Sequence, residues 1–174
     1  MPCHTEAFVK RLWILLATIS TAVALVYGVA AYASVGQSSF TAKLDGYHEV
    51  PSLYTTGWGI VNIMISGDGR SITYELWYLN LEGDAAQAHI HFGIEGTNGG
   101  VMAFLCGGGG KPACPARAGT VRGVITTADI IGPADQGIER GNLEKAIHAI
   151  RAGAAYVNVH TSKYPAGEIR GQLK

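Results

Sequence analysis

An excess of charge of either sign is missing from this chain: 13 Lys and Arg are balanced by 13 Asp and Glu over 174 residues, and no Lys/Arg cluster stands out. A near-neutral body without concentrated cations excludes nucleic acid as the main partner. Charge is also scarce in total, at 15% of residues against 48% apolar, and that balance excludes a disordered chain. No C-x-x-C pair occurs, which removes the usual thiolate metal spacing. No serine has the G-x-S-x-G context of a hydrolase nucleophile. The glycine run 107–110 lacks the ending of a phosphate loop, because Lys111 is followed by Pro112. Neither an internal repeat nor an inter-domain linker is visible.

What is present begins with an uncharged run of 22 residues, Leu12 to Ala33, behind Lys10 and Arg11. As helix it would reach about 33 Å, enough to span a bilayer. It ends in Ala31-Tyr32-Ala33 before Ser34, which fits the small-x-small rule for signal cleavage. The run exceeds the usual ~7–15 residue signal core, so residues 1–33 read either as a cleaved signal peptide or as an uncleaved membrane anchor. The basic pair keeps the N-terminal side cytoplasmic, so both readings place residues 34–174 outside the cytoplasm, secreted or periplasmic or tethered there. Contact with membrane is then expected only through this segment. Removing Lys10, Arg11 and Glu6 with it leaves 11 positive and 12 negative side chains.

Cys3 lies ahead of the basic pair and is not placed like a lipoprotein cysteine, which would follow the apolar run. Cys106 and Cys114 remain in the exported body and flank a glycine-rich segment flexible enough to close. A disulfide between them is expected, removing unfolded-state entropy worth about 2.5 kcal/mol.

Residues 34–39 read as a short tether and 40–174 as one domain. Of the 24 Gly, all but Gly28 follow the leader, a sign of many turns rather than a helix bundle. Period-2 alternation in Phe40–Leu44 and β-branched runs at Gly59–Ile65 and Ile72–Leu81 predict strands, joined at Gly67-Asp68-Gly69 by a hairpin. Further strands are expected over Ala86–Phe92, Val101–Leu105, Thr120–Thr126, Tyr156–His160 and Glu168–Leu173. Asn142 can cap one helix, Leu143–Ala152, with Leu143, Ala146, Ile147 and Ile150 on its apolar face, His148 on its solvated side and Gly153 at its end. The pattern predicts an all-β fold, a Greek-key β-sandwich or barrel of about eight strands with one short helix.

The chemistry concentrates in Ala88-His89-Ile90-His91-Phe92. With Ala88, Ile90 and Phe92 on the apolar side of a strand, His89 and His91 project together from the other. In Tyr156–His160 the same alternation puts Tyr156, Asn158 and His160 away from the core. If the two strands are neighbours, His89, His91 and His160 can meet on one metal. Paired imidazoles suit copper or zinc, and outside the cytoplasm Cu(II) fits better than zinc. The same residues equally describe a solvated or hydrogen-bonded cluster, and here both readings stand. Ring nitrogens within about 4 Å of one another would favour the metal, and a scatter beyond ~8 Å would exclude it. His48 is a candidate fourth ligand, and Glu49 a carboxylate that could orient a ring. Glu168 and Arg170 share a face and are expected to form a cross-strand ion-pair network. Trp58, Trp77 and the tyrosines read as core and rim.

The order Phe40-Thr41-Ala42-Lys43-Leu44-Asp45-Gly46, Glu49-Val50-Pro51, Ala88-His89-Ile90-His91, Tyr156-Val157-Asn158-Val159-His160-Thr161 and Gly167-Glu168-Ile169-Arg170-Gly171-Gln172-Leu173 resembles the CHRD domain. This module is repeated in the animal protein chordin and stands alone in bacterial exported proteins. The resemblance covers about residues 38–174, with Ser52 where members often carry a second Pro and a local insertion at Cys106–Cys114. It implies an extracytoplasmic β-rich domain of no single defined activity; behind its leader the chain is expected to act as a binding or structural module, toward an unidentified protein or matrix partner, without catalysis. A looser resemblance is to the copper–zinc superoxide dismutase barrel, which would make His89, His91 and His160 copper ligands in a redox or copper-handling protein. That pattern's zinc cluster has no counterpart here and its fourth copper ligand no clear one, and only Arg170 could guide an anion.

Overall fold

A computed structural model describes residues 36–174; the leader reading for 1–33 lies outside the described residues. Among the described residues, no helix is long and apolar enough to cross a membrane.

Eight strands form: β1 (Ser39–Asp45), β2 (Trp58–Ile65), β3 (Ile72–Leu79), β4 (Ala85–Phe92), β5 (Val101–Cys106), β6 (Gly119–Ile125), β7 (Ala155–Thr161) and β8 (Ile169–Gln172). They differ from the sequence-based bounds by one or two residues. In β1 the alternation works as expected, with Phe40, Ala42 and Leu44 buried and Ser39, Thr41 and Lys43 exposed. The β2–β3 hairpin turns where Gly69 takes φ +68° and its N–H donates to the Ser66 carbonyl.

All pairings are antiparallel, and the strands join one sheet in the order β5-β4-β7-β8-β1-β2-β3-β6. Of the two architectures expected, the barrel is the one formed, nearly closed between β5 and β6. Side chains and loops bridge that seam. Tyr74 donates its hydroxyl proton to the Leu105 carbonyl at 2.7 Å, and the Ile131 N–H donates to the Met102 carbonyl at 2.9 Å. Leu44, Leu76, Tyr78, Ile90, Leu105, Val157, Val159 and Ile169 are at most 1% exposed and belong to the central core.

The single α-helix among the described residues, α1 (Leu143–Arg151), starts where the Asn142 side chain accepts from the Lys145 N–H. It buries Leu143, Ala146, Ile147, Ala149 and Ile150, and Gly153 follows with φ +70°. Cys106 and Cys114 are joined as a disulfide with Cα atoms 5.1 Å apart.

Candidate metal centre

Topology makes the meeting of the three histidines possible. Strands β4 and β7 are direct neighbours, with His89 opposite Asn158, His91 opposite Tyr156 and Gln87 opposite His160. On its other side β4 pairs with β5, where the register slips between Ala88 and His89 and again between Ile90 and His91. Bulges of this kind re-aim side chains, and each of these two falls immediately before one of the ligand candidates on β4.

The rings of His89, His91 and His160 converge. Their centroids are 5.3 Å apart for His89–His91, 4.8 Å for His89–His160 and 6.0 Å for His91–His160. One nitrogen from each ring falls within 4.8 Å of the others. That spread lies between the two bounds set above, wider than the ~4 Å that favours a metal and well inside the ~8 Å that excludes it; bonds of about 2 Å ask for donors about 3.5 Å apart.

The face they occupy is largely covered, with His89 and His91 buried and His160 half-buried, which removes the solvated reading of the cluster. His89 is 5% exposed, His91 8%, Asn158 3% and Arg170 2%. Three loops cover it. The Asn98 amide donates to the Val50 carbonyl, which ties the 93–100 loop to the 49–51 loop. His91 Nδ1 lies 3.0 Å from the Gly99 carbonyl, and His160 Nδ1 lies 2.9 Å from the Pro165 carbonyl. On the remaining flank Phe104 of β5 meets His89 edge-on, with ring centroids 4.4 Å apart. Behind Phe104 lie Gly108 and Gly109, so close that a Cβ on either would come within 2.4–2.7 Å of its ring.

These contacts decide the tautomers. A carbonyl only accepts, so Nδ1 of His91 and of His160 carries the proton and Nε2 carries a bare lone pair. Neither Nε2 has a partner, and neither nitrogen of His89 has one. These are four of the five unpartnered buried side-chain polar atoms among the described residues. Each such orphan costs about 1–3 kcal/mol, and a ligand at the centre of the three rings, taking one nitrogen from each, would recover three of the four. A backbone carbonyl holding the far nitrogen is also the arrangement that orients metal-binding histidines.

Protonation does not compete with that role near neutral pH. Burial, reinforced by His160 and His91, pushes the His89 imidazole down to about 3. Burial likewise takes His91 down to about 4 against the opposing Gly99 carbonyl, and lowers His160. The lone pairs are available without deprotonation.

The other candidates fall elsewhere. His48 sits on a 3-10 turn, exposed, with Nδ1 2.7 Å from Asp45, and does not join the cluster. Glu49 reaches no ring; its Oε1 accepts from the Asn158 amide at 2.6 Å. Burial raises the Glu49 carboxyl to about 7 in spite of Arg170. Glu168 and Arg170 do not pair, which corrects the expected ion-pair network. Glu168 is fully buried and accepts from the Thr55 and Thr161 hydroxyls and from the Glu82 and Gly83 N–H groups. Arg170 turns the opposite way. Its guanidinium lies 3.4 Å over the Tyr156 ring and donates to Asn98 Oδ1 and the Thr97 carbonyl. Tyr156 in turn stacks on His91, with centroids 4.7 Å apart and planes 5° from parallel. A pocket of about 180 Å³ opens between His91, His160, Asn158, Glu49 and Arg170.

The family model for the CHRD domain matches residues 40–173, nearly the whole described chain. The chain belongs to the CHRD domain family. No curated protein and no solved structure gives a match. Within this CHRD domain, sequence reasoning named the three rings but missed what surrounds them. Gly99 and Pro165 act through main-chain carbonyls, for which no side-chain pattern exists. Phe104 could have been found, because the β4–β5 hairpin sets it opposite His89.

Proposed function

We propose that this chain is an exported binding module whose CHRD barrel holds one transition-metal ion through His89, His91 and His160, with copper favoured over zinc. The carrying observation is the set of four orphaned ring nitrogens in one buried cluster. Neutral imidazoles with carbonyl-fixed tautomers suit copper and zinc alike, and the stability order of divalent ions ranks copper above zinc. When bound, the metal supplies a cationic, redox-capable centre; the protein's part is to fix the rings and keep water from them. The covered site and the absence of a nucleophile motif support a binding or structural role rather than catalysis.

Export rests on the 22-residue apolar run of the sequence and agrees with a disulfide in the body, a bond that persists in oxidising compartments. Cell fractionation tests it. Chains beginning at Ser34 in the soluble extracytoplasmic fraction indicate a cleaved signal, intact chains in the membrane fraction an anchor, and cytoplasmic protein overturns export.

The metal reading is tested by loading the purified full chain with copper, dialysing it and measuring retained metal by elemental analysis. One equivalent is expected in the wild type and none in His89→Ala. A folded wild type that emerges metal-free overturns the reading.

A further inference from the structure

The surroundings of the three rings are unusual in charge. The ligand set is three uncharged imidazoles. Histidine–carboxylate contacts among the described residues are His48–Asp45 and His148–Glu144, and neither touches the cluster. Glu49, the carboxyl lining the adjoining pocket, directs its Oε1 at Asn158 and touches no ring, and Glu168 is filled by four donors. The fixed charge nearest along the stack is a cation, since the buried Arg170 guanidinium covers Tyr156 and Tyr156 covers His91. The free nitrogens themselves are shut off from solvent.

An ion entering such a place meets two penalties. The cost of taking an ion out of water scales with the square of its charge, so a monocation pays about a quarter of what a dication does. Arg170 adds repulsion that is twice as large for a dication. Zinc(II) also seeks a fourth ligand, whereas copper(I), a closed-shell soft ion, accepts a low coordination number.

Resting on the metal reading above, we infer that the His89–His91–His160 centre selects a monovalent soft cation, Cu(I), over Cu(II) and Zn(II), because three neutral donors beside a buried guanidinium offer neither a ligating carboxylate nor a fourth protein ligand. The selection is a property of the surroundings as much as of the ligands. It therefore responds to Arg170 and Glu49, which do not touch the metal.

The test uses the full chain under anaerobic conditions. Affinities for Cu(I), Cu(II) and Zn(II) are measured against chelators of known strength, with Ag(I) as a redox-inert stand-in for Cu(I). Ag(I) and Cu(I) are expected to bind at one equivalent, with Cu(I) favoured over Cu(II) by on the order of 100-fold. Arg170→Gln lowers that ratio on the order of tenfold, as loss of one charge at about ten ångströms implies. Arg170→Lys retains most of it, and Glu49→Gln raises it. Should the Arg170 variants fail to fold, Glu49→Gln and the competition of Zn(II) against Ag(I) on the wild type still decide. Cu(II) bound as tightly as Cu(I), or Zn(II) displacing Ag(I), overturns the selection and leaves the metal site standing. A folded chain that binds none of the four ions removes the site itself, and the inference with it.

Discussion

The outward faces of β2–β3 and of β4–β7 are written in the same alternating code, yet only the first meets water. On β2, Trp58 is 41% exposed and Met64 57%, and neighbouring Asn62 and Glu75 are exposed as well. On β4 and β7 the equivalent residues His89, Tyr156 and Asn158 are all 5% exposed or less. The inward residues of both flanks are alike, from Val61 and Leu76 to Ile90 and Val157. Period 2 therefore reports which residues share a face, and connections elsewhere in the chain decide whether that face is solvent or a second interior. Where it becomes an interior, polar side chains must be satisfied, and the ones left unsatisfied mark a site.

The sharpest way to break this comparison is to delete one aromatic ring from each face. His89→Ala should abolish metal retention, while Trp77→Ala should leave it at one equivalent, by elemental analysis of dialysed protein. The next effect concerns carboxylates. Glu168→Ala strands four donors in the interior and should cost about 3–5 kcal/mol in denaturant unfolding. Glu75, whose pair with Arg122 lies on the open face, is its counterpart at the small end of the series below. Removing the disulfide by a double Cys106→Ser, Cys114→Ser change should cost about 2.5 kcal/mol and loosen the Phe104 side of the covered face first.

Acid separates the faces more gently. His89 and His91 bind protons at about 3 and about 4 when folded but near 6.5 when unfolded. Between these values the unfolded chain holds more protons, so metal-free stability rises with pH and is lost as pH falls from about 6.5 toward 4. Glu49 works against this between 4.5 and about 7, because its folded form holds the extra proton. The histidines outnumber it, so the melting temperature should fall on acidification, and less so in His89→Ala. The smallest effect is Glu75→Gln, under about 1 kcal/mol for an exposed pair.

Much of this architecture was legible in the sequence. Alternation in Phe40–Leu44 and in Ala88–Phe92 located strands, Asn142 and Gly153 bounded the helix, and the two late cysteines announced their bond. The His trio was legible for the same reason, since three imidazoles fell on one side of two strands. Their burial was not. It depends on the 93–100, 49–51 and 164–167 loops folding over a sheet face, held by carbonyls of Gly99, Val50 and Pro165 that carry no residue-specific signal. The divergence of Glu168 and Arg170 was equally hidden. Glu168 lies one residue before β8, where strand alternation no longer governs direction.

Two positions with no side chain at all belong to the centre. Gly108 and Gly109 lie flat against Phe104, and Phe104 is the wall on which His89 rests. Every heavier residue there must shove that wall inward or lift the disulfide-closed loop away. A chemically mute stretch of backbone thus sets the clearance of the imidazole two layers beneath it, and methyl groups at 108 or 109 would detune the centre without altering a single donor atom.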